Sequence, residues 1–248
     1  MALPVEIDPC PIVDVVTELR FDVSVPDAVG IGMSYQKLTQ RFPKVIPLQV
    51  APISEQLRQL NPALIYQPHF RFEADDFIAL LGPKLFAVGV NGRYPGWPAT
   101  SKGFSEVMSL FTSANIINLL HRFSLKYVNF FPGNVLPELE LVLAIRGDQV
   151  PGEGTLVRTI VPASSFKIQL QVLTEVKISS SSPKLIVDPN LPGTIVELDC
   201  YRDYPSSHED FLQNIAQNLE AAHNEEKALF YRLLKDQFVQ TKLHPRYQ

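Results

Sequence analysis

Cysteine is nearly absent: the 248-residue chain has two, Cys10 and Cys200, with no CxxC pair and no zinc-ligand spacing. That excludes a disulfide framework and leaves two reduced thiols that serve packing, as expected of a cytoplasmic protein. Tryptophan is limited to Trp97. No apolar run approaches the roughly 18 residues a membrane-spanning helix needs. The opening MALPVEIDPCP has neither a basic start nor an apolar stretch, so no secretory signal is expected. Excess charge of one sign is lacking too: 22 Lys and Arg against 26 Asp and Glu give a net charge of −4. No global positive field therefore recruits nucleic acid or an anionic membrane. With 46% hydrophobic and 19% charged residues, the chain is too apolar for disorder and can bury a sizeable core.

Several chemical signatures are missing as well. Gly103-Phe104-Ser105-Glu106-Val107 fails the GxSxG pattern at its last position and lies in a helical stretch. His208-Glu209 begins like HExxH, but Leu212 stands where the second histidine is needed. His69, Arg71 and Glu73 alternate onto one strand face, with Asp75 and Asp76 in the turn beyond. Arg71 between those ligands opposes a cation. Gly89, Gly92 and Gly96 fit neither the dinucleotide fingerprint nor the P-loop, and a tight turn accounts for them. Asp14 and Glu18 share a strand face, but four residues separate them by about 13 Å. A glycosidase acid–base pair stands roughly 5–9.5 Å apart. No catalytic residue, metal site or cofactor is expected.

What is present is periodicity. Odd positions from Val13 to Phe21 are mostly apolar and even ones include Asp14, Glu18 and Arg20, the pattern of a half-buried strand. Ile31, Tyr35, Leu38 and Phe42 predict a helix that Pro43 ends. Tyr66–Phe72, Phe77–Leu81 and Leu85–Val90 read as consecutive strands joined by turns. After the Tyr94-Pro95-Gly96-Trp97 turn, Thr100 or Ser101 caps a helix with the stripe Phe104, Val107, Met108 and Phe111, fading near His121. A strand then puts Phe123, Leu125, Tyr127, Asn129 and Phe131 on one face and Arg122, Ser124 and Lys126 on the other. Further strands are read at 139–146, 156–161, 165–176, 184–187 and 194–201. A long helix opens at Ser207–Asp210 and runs to Leu234 on Phe211, Ile215, Leu219 and Ala222, and Lys242–Gln248 form a tail.

These elements predict an α+β fold, a mostly antiparallel sheet with helices packed on one face. The chain divides into halves at 1–135 and 136–248, or forms one continuous domain. The halves are also read as copies. PKLFAVGVN, Tyr94-Pro95, Phe104 and Met108 are echoed by PKLIVDPN, Tyr204-Pro205, Phe211 and Ile215. Two similar halves joined into one curved sheet would present a concave binding face.

Four motifs, at three places in the chain, resemble those of an uncharacterised family of about 250-residue proteins, sporadically distributed in bacteria and archaea. Pro11-Ile12-Val13-Asp14 opens a strand ending in Arg20-Phe21, with Asp14 where Glu is usual. The Tyr94–Trp97 turn matches Tyr-x-Gly-Trp. The stretch Arg122 to Asn129 matches Arg-x-x-Leu-Arg-Tyr-x-Asn, with Lys126 replacing an Arg. His208 to Phe211 resembles the family's start of the last helix. The resemblance implies no activity, substrate or cofactor. Sporadic distribution is typical of mobile and defence-related prokaryotic genes and favours an interaction role, with a defence or toxin–antitoxin system as the expected setting.

The candidate binding residues are Tyr94, Trp97, Arg122, Lys126, Tyr127 and Asn129. Asn129 alternates onto the apolar face, where an unpaired amide costs about 1–3 kcal/mol. It must therefore find partners, and backbone groups of the Tyr94–Trp97 turn are the first choice. The alternative is a recognition cleft lined by these residues, with Arg122 clamping an anion. The expected function is non-enzymatic recognition of a protein partner, with a homo-oligomer included. The alternatives are a nucleic-acid-binding accessory subunit using Arg122 and Lys126, and an enzyme assembled from distant residues such as Asp14, Glu18 and Arg122.

Overall fold

Alternation at Ile12–Val23 builds β1, with Val15, Thr17, Leu19 and Phe21 all buried. The structure is a computed structural model that describes residues 3–53, 55–149, 154–178, 191–204 and 209–247. Helix α1 (Asp27–Leu38) starts directly after Pro26 and buries Gly30, Ser34 and Leu38. The expected helix from Ile31 to Phe42 is thus displaced: Tyr35 leans on Phe70 and Phe72, and Phe42 packs beyond the helix end. Strand β2 (Lys44–Pro47) and the short helices α2 (Glu55–Leu60) and α3 (Pro62–Ile65) lead to a meander. Its strands are β3 (Phe70–Glu73), β4 (Phe77–Leu81) and β5 (Leu85–Val90), the first starting four residues later than expected.

Helix α4 (Trp97–Thr112) begins before the predicted Thr100 or Ser101 cap. Gly96, at φ +94°, turns the chain where a side chain would be strained, and Pro98 fits the first helical turn, where no amide donor is needed. Strand β6 (Ile117–Pro132) starts well before His121, where the helix was expected to fade. The strand expected at 139–146 is absent. A 3₁₀ turn (Leu136–Glu138) and the two-residue strands β7 (Ala144–Ile145) and β8 (Asp148–Gln149) occupy that region. Strands β9 (Leu156–Ala163), β10 (Phe166–Val176) and β11 (Gly193–Asp203) agree with the alternation. The closing helix is split at Asn214 into α5 (Glu209–Gln213) and α6 (Ile215–Leu233). The expected tail is instead helix α7 (Asp236–Lys242) followed by a bridge between Glu6 and Arg246. The readings at 179–182 and 184–187, the second PKL run and the Ser207–His208 helix start lie outside the described residues.

Nine strands form an open antiparallel sheet in the order β2-β3-β4-β5-β1-β6-β11-β10-β9. Connectivity repeats along it: β1, later the meander β3-β4-β5, then α4; and β6, later β9-β10-β11, then α5 and α6. The last meander strand neighbours the first strand of its own run in each case. Tyr94 follows β5 as Tyr204 follows β11. The α+β fold with helices on the sheet is as expected.

By contact density the chain divides into two compact units. One comprises Met1–Val15, Lys126–Cys200 and Ala222–Gln248, the other Val16–Leu125 and Tyr201–Ala221. The second unit has an aromatic core: Phe111 stacks on Phe86 at 4.0 Å and meets Phe21, while Phe104 meets Phe77 and Phe123 meets Phe211. In the first unit, Phe131 of β6 packs against Phe230 of α6 and Phe238 of α7. Cys200 is buried within β11 and Cys10 is exposed.

Candidate binding surface

On β6 the strand period of two sends the candidate residues to opposite faces. Tyr127 and Asn129 are buried under helices, each 2% exposed. Asn129 donates from Nδ2 to the carbonyl of Val196 at 3.2 Å, so its amide ties β6 to β11 and not to the Tyr94–Trp97 turn as expected. Tyr127 shares a 2.9 Å hydrogen bond with His223 Nδ1 on α6.

Arg122 and Lys126 point the other way. In the second unit, Arg122 donates from Nε to Asp203 Oδ1 at 2.9 Å, and its guanidinium carbon lies 4.1 Å from the centre of the Tyr201 ring. In the first unit, Lys126 stands 4.0 Å from Glu197 and next to Asp14. The Asp14 residue stays exposed, yet packing around its carboxyl pushes the pKa up; Lys126 acts against that shift and Glu197 adds to it. Each basic group is thus matched by an acid on a neighbouring strand, which does not make a basic patch for nucleic acid. Glu18 pairs with Arg20 at 2.6 Å on the same strand.

The Tyr94–Trp97 turn belongs to the second unit. Trp97 donates its indole N–H to Glu220 of α6 at 2.6 Å. Other ion pairs of this unit are structural: Asp22 accepts from Lys84 at 2.7 Å and lies 2.8 Å from His121 Nε2. Burial raises the Asp22 carboxyl, but these two partners outweigh it and hold the pKa below the usual range. Glu73, set aside with His69 as a metal ligand because Arg71 lies between them, accepts from Arg71 and from Lys44, each at 2.6 Å.

The first unit holds two further features. One is Glu226, at the centre of the buried stripe of α6 and only 4% exposed. Burial raises its pKa to about 8, against a weaker pull from Lys227. Burial likewise lowers His223 to about 3.

The other feature is the edge of the sheet. Among the described residues β9 ends the strand order and has β10 on one side only. The opposite edge, β2, is four residues long and carries Lys44 and Pro47, which suppress strand addition. Strand β9 is twice as long and rich in β-branched residues, and it leaves Leu156 and Ile160 65% and 55% exposed. Alongside it runs an open groove of about 240 Å³, lined by Val161, Ala163 and Ile168 from the sheet and by Glu225, Ala228, Leu229 and Arg232 from α6. The β-branched run was visible at Leu156–Val161. Its position at an edge was not, because alternation is the same in edge and interior strands.

No family model matches this chain, and no curated protein matches it at a significant level.

Proposed function

We propose that the chain is a non-enzymatic binding protein that recognises a protein partner through the β9 edge and the groove beside it. The observation that carries this reading is the β9 edge strand, exposed at Leu156 and Ile160 and with no second neighbouring strand among the described residues. Exposed edges of this kind are templates for pairing with another chain, and proteins without a partner there blunt them. Leu156 and Ile160 add apolar surface whose burial favours association by roughly 25 cal/mol per Å². Arg122, Lys126, Glu18 and Asp22 support the same reading indirectly, since each is engaged in ion pairs that brace the sheet.

The test is purification of the tagged protein from its native host, in parallel with a Leu156→Lys/Ile160→Lys variant. A stoichiometric protein retained by the wild type and lost by the variant is the expected result. A wild-type preparation that contains no second protein and no higher oligomer overturns it.

A further inference from the structure

Resting on that reading, we infer that the partner docks by adding a strand to β9, and that its docking segment carries an apolar residue flanked by one basic and one acidic residue, each two positions away. The hydrogen-bonding direction of β9 follows from its hairpin. Ser164 and Ser165 form the two-residue turn, so the closing pair Ala163 and Phe166 exchanges both backbone bonds. Alternation then turns the backbone of Val161, Thr159 and Val157 toward β10. The bond from Thr174 N–H to the carbonyl of Thr155, at 3.0 Å, keeps the same parity two residues further on. Leu156, Arg158 and Ile160 therefore aim both their N–H and C=O groups away from the sheet. Pro162 falls on the same outward parity, the one where its missing N–H costs the β9–β10 ladder nothing.

Side chains of an added strand alternate between the two sheet faces. On the helix-covered face they meet the groove. Val161, Ile168 and Leu229 give it apolar contacts beside the polar Ser164, Glu225 and Arg232, and its volume of about 240 Å³ is below the roughly 300–1,000 Å³ of small-molecule pockets. It suits one large side chain of a passing strand. Glu225 and Arg232 border it from α6, and neither takes an ion pair among the described residues. Seven helical residues place them about 10.5 Å apart. Strand positions four apart on one face are separated by about 13 Å, within reach of Lys or Arg at one end and Glu or Asp at the other. The basic residue faces Glu225 and the acidic one Arg232, with the apolar anchor between them against Leu229 and Ile168.

The probe is a fluorescein-labelled peptide with the core Lys-Thr-Ile-Thr-Glu, read by anisotropy against a Lys-Thr-Ile-Thr-Lys control. The expected result is saturable binding of the first peptide, weakened about tenfold by Ile160→Pro, which removes one outward donor. Ala228→Trp, at an exposed helical position, should fill the groove and weaken binding comparably. Arg232→Glu should reverse the preference toward the doubly basic peptide by about threefold. Absence of binding at millimolar peptide overturns the proposal. So does binding that ignores Ile160→Pro and Ala228→Trp while circular dichroism shows both variants folded. A wild-type dimer that Ile160→Pro dissociates would make a second copy the occupant and overturn the separate docking segment. A host partner retained by a protein that binds no peptide would remove strand addition and leave the protein-partner reading standing.

Discussion

The Tyr127 hydroxyl and His223 Nδ1, 96 residues apart in sequence, lie 2.9 Å from one another and pin α6 to β6 within the first unit. Burial, with Lys227 nearby, lowers the imidazole pKa to about 3 from the usual 6.5. In the unfolded chain the ring takes a proton below pH 6.5, which the folded protein refuses until about 3. Stability is therefore present above pH 6.5 and falls on acidification toward pH 3. Urea denaturation of wild type and His223→Gln at pH 7 and pH 4.5 measures this. The wild type should lose on the order of 2 kcal/mol more than the variant over that interval.

Glu226 imposes the opposite slope. Its carboxyl is kept protonated up to about 8 by burial, against 4.5 for a free group. The folded state holds the proton more tightly, so stability is full below pH 4.5 and declines as pH rises to about 8. Glu226→Gln keeps the shape and cannot ionise. Its melting temperature should match the wild type near pH 4.5 and exceed it at pH 9, by a free-energy difference on the order of 4 kcal/mol at most. A pH-independent difference between the two would show that the carboxyl finds compensation when ionised.

The close approach of α4 to β4 depends on Gly103. A Cβ built there would lie 2.1 Å from Phe77 Cζ, inside a core where Phe77 also meets Phe104. Gly103→Ala gains helix propensity but forces the Phe77 ring out of place, and overpacking of this kind costs about 1–3 kcal/mol. Chemical denaturation should show a net loss. Phe77→Leu in the same chain should recover part of it, because the space needed by the new methyl is then free.

Much of the fold could be read from period alone. In β1 the buried residues are those that alternation selected, and in β6 they include all five it put on the core face, down to Asn129, although Leu120, Ser124 and Phe130 are buried as well. Endings were harder. The stripe of α4 was correct, but its start was missed because Gly96 and Pro98 serve the turn and the helix at once. Residues 242–248 look like a tail locally; the N–H of Val5 donates to the carbonyl of Arg246, a partner 241 positions away that no local pattern encodes. The candidate residues of β6 were placed on the right faces, while their partners Val196, Asp203 and His223 come from elements far along the chain. The β9 edge illustrates the same limit. A strand's own residues fix its pleat, and the rest of the sheet decides whether it has one neighbour or two.

Trp97 is the only tryptophan, which makes the turn it ends directly observable. Its indole N–H donates to the Glu220 carboxylate at 2.6 Å, a charge-assisted bond linking the start of α4 to α6 within the second unit. Glu220→Gln keeps an acceptor but removes the charge, and Glu220→Ala removes both. The alanine variant should leave the half-buried indole to water, shifting its fluorescence to the red and lowering stability by about 1 kcal/mol. The glutamine variant should fall between that and the wild type. If the emission of all three proteins coincides, the Tyr94–Trp97 turn is held by its backbone and by packing, and the hydrogen bond to α6 contributes nothing to its position.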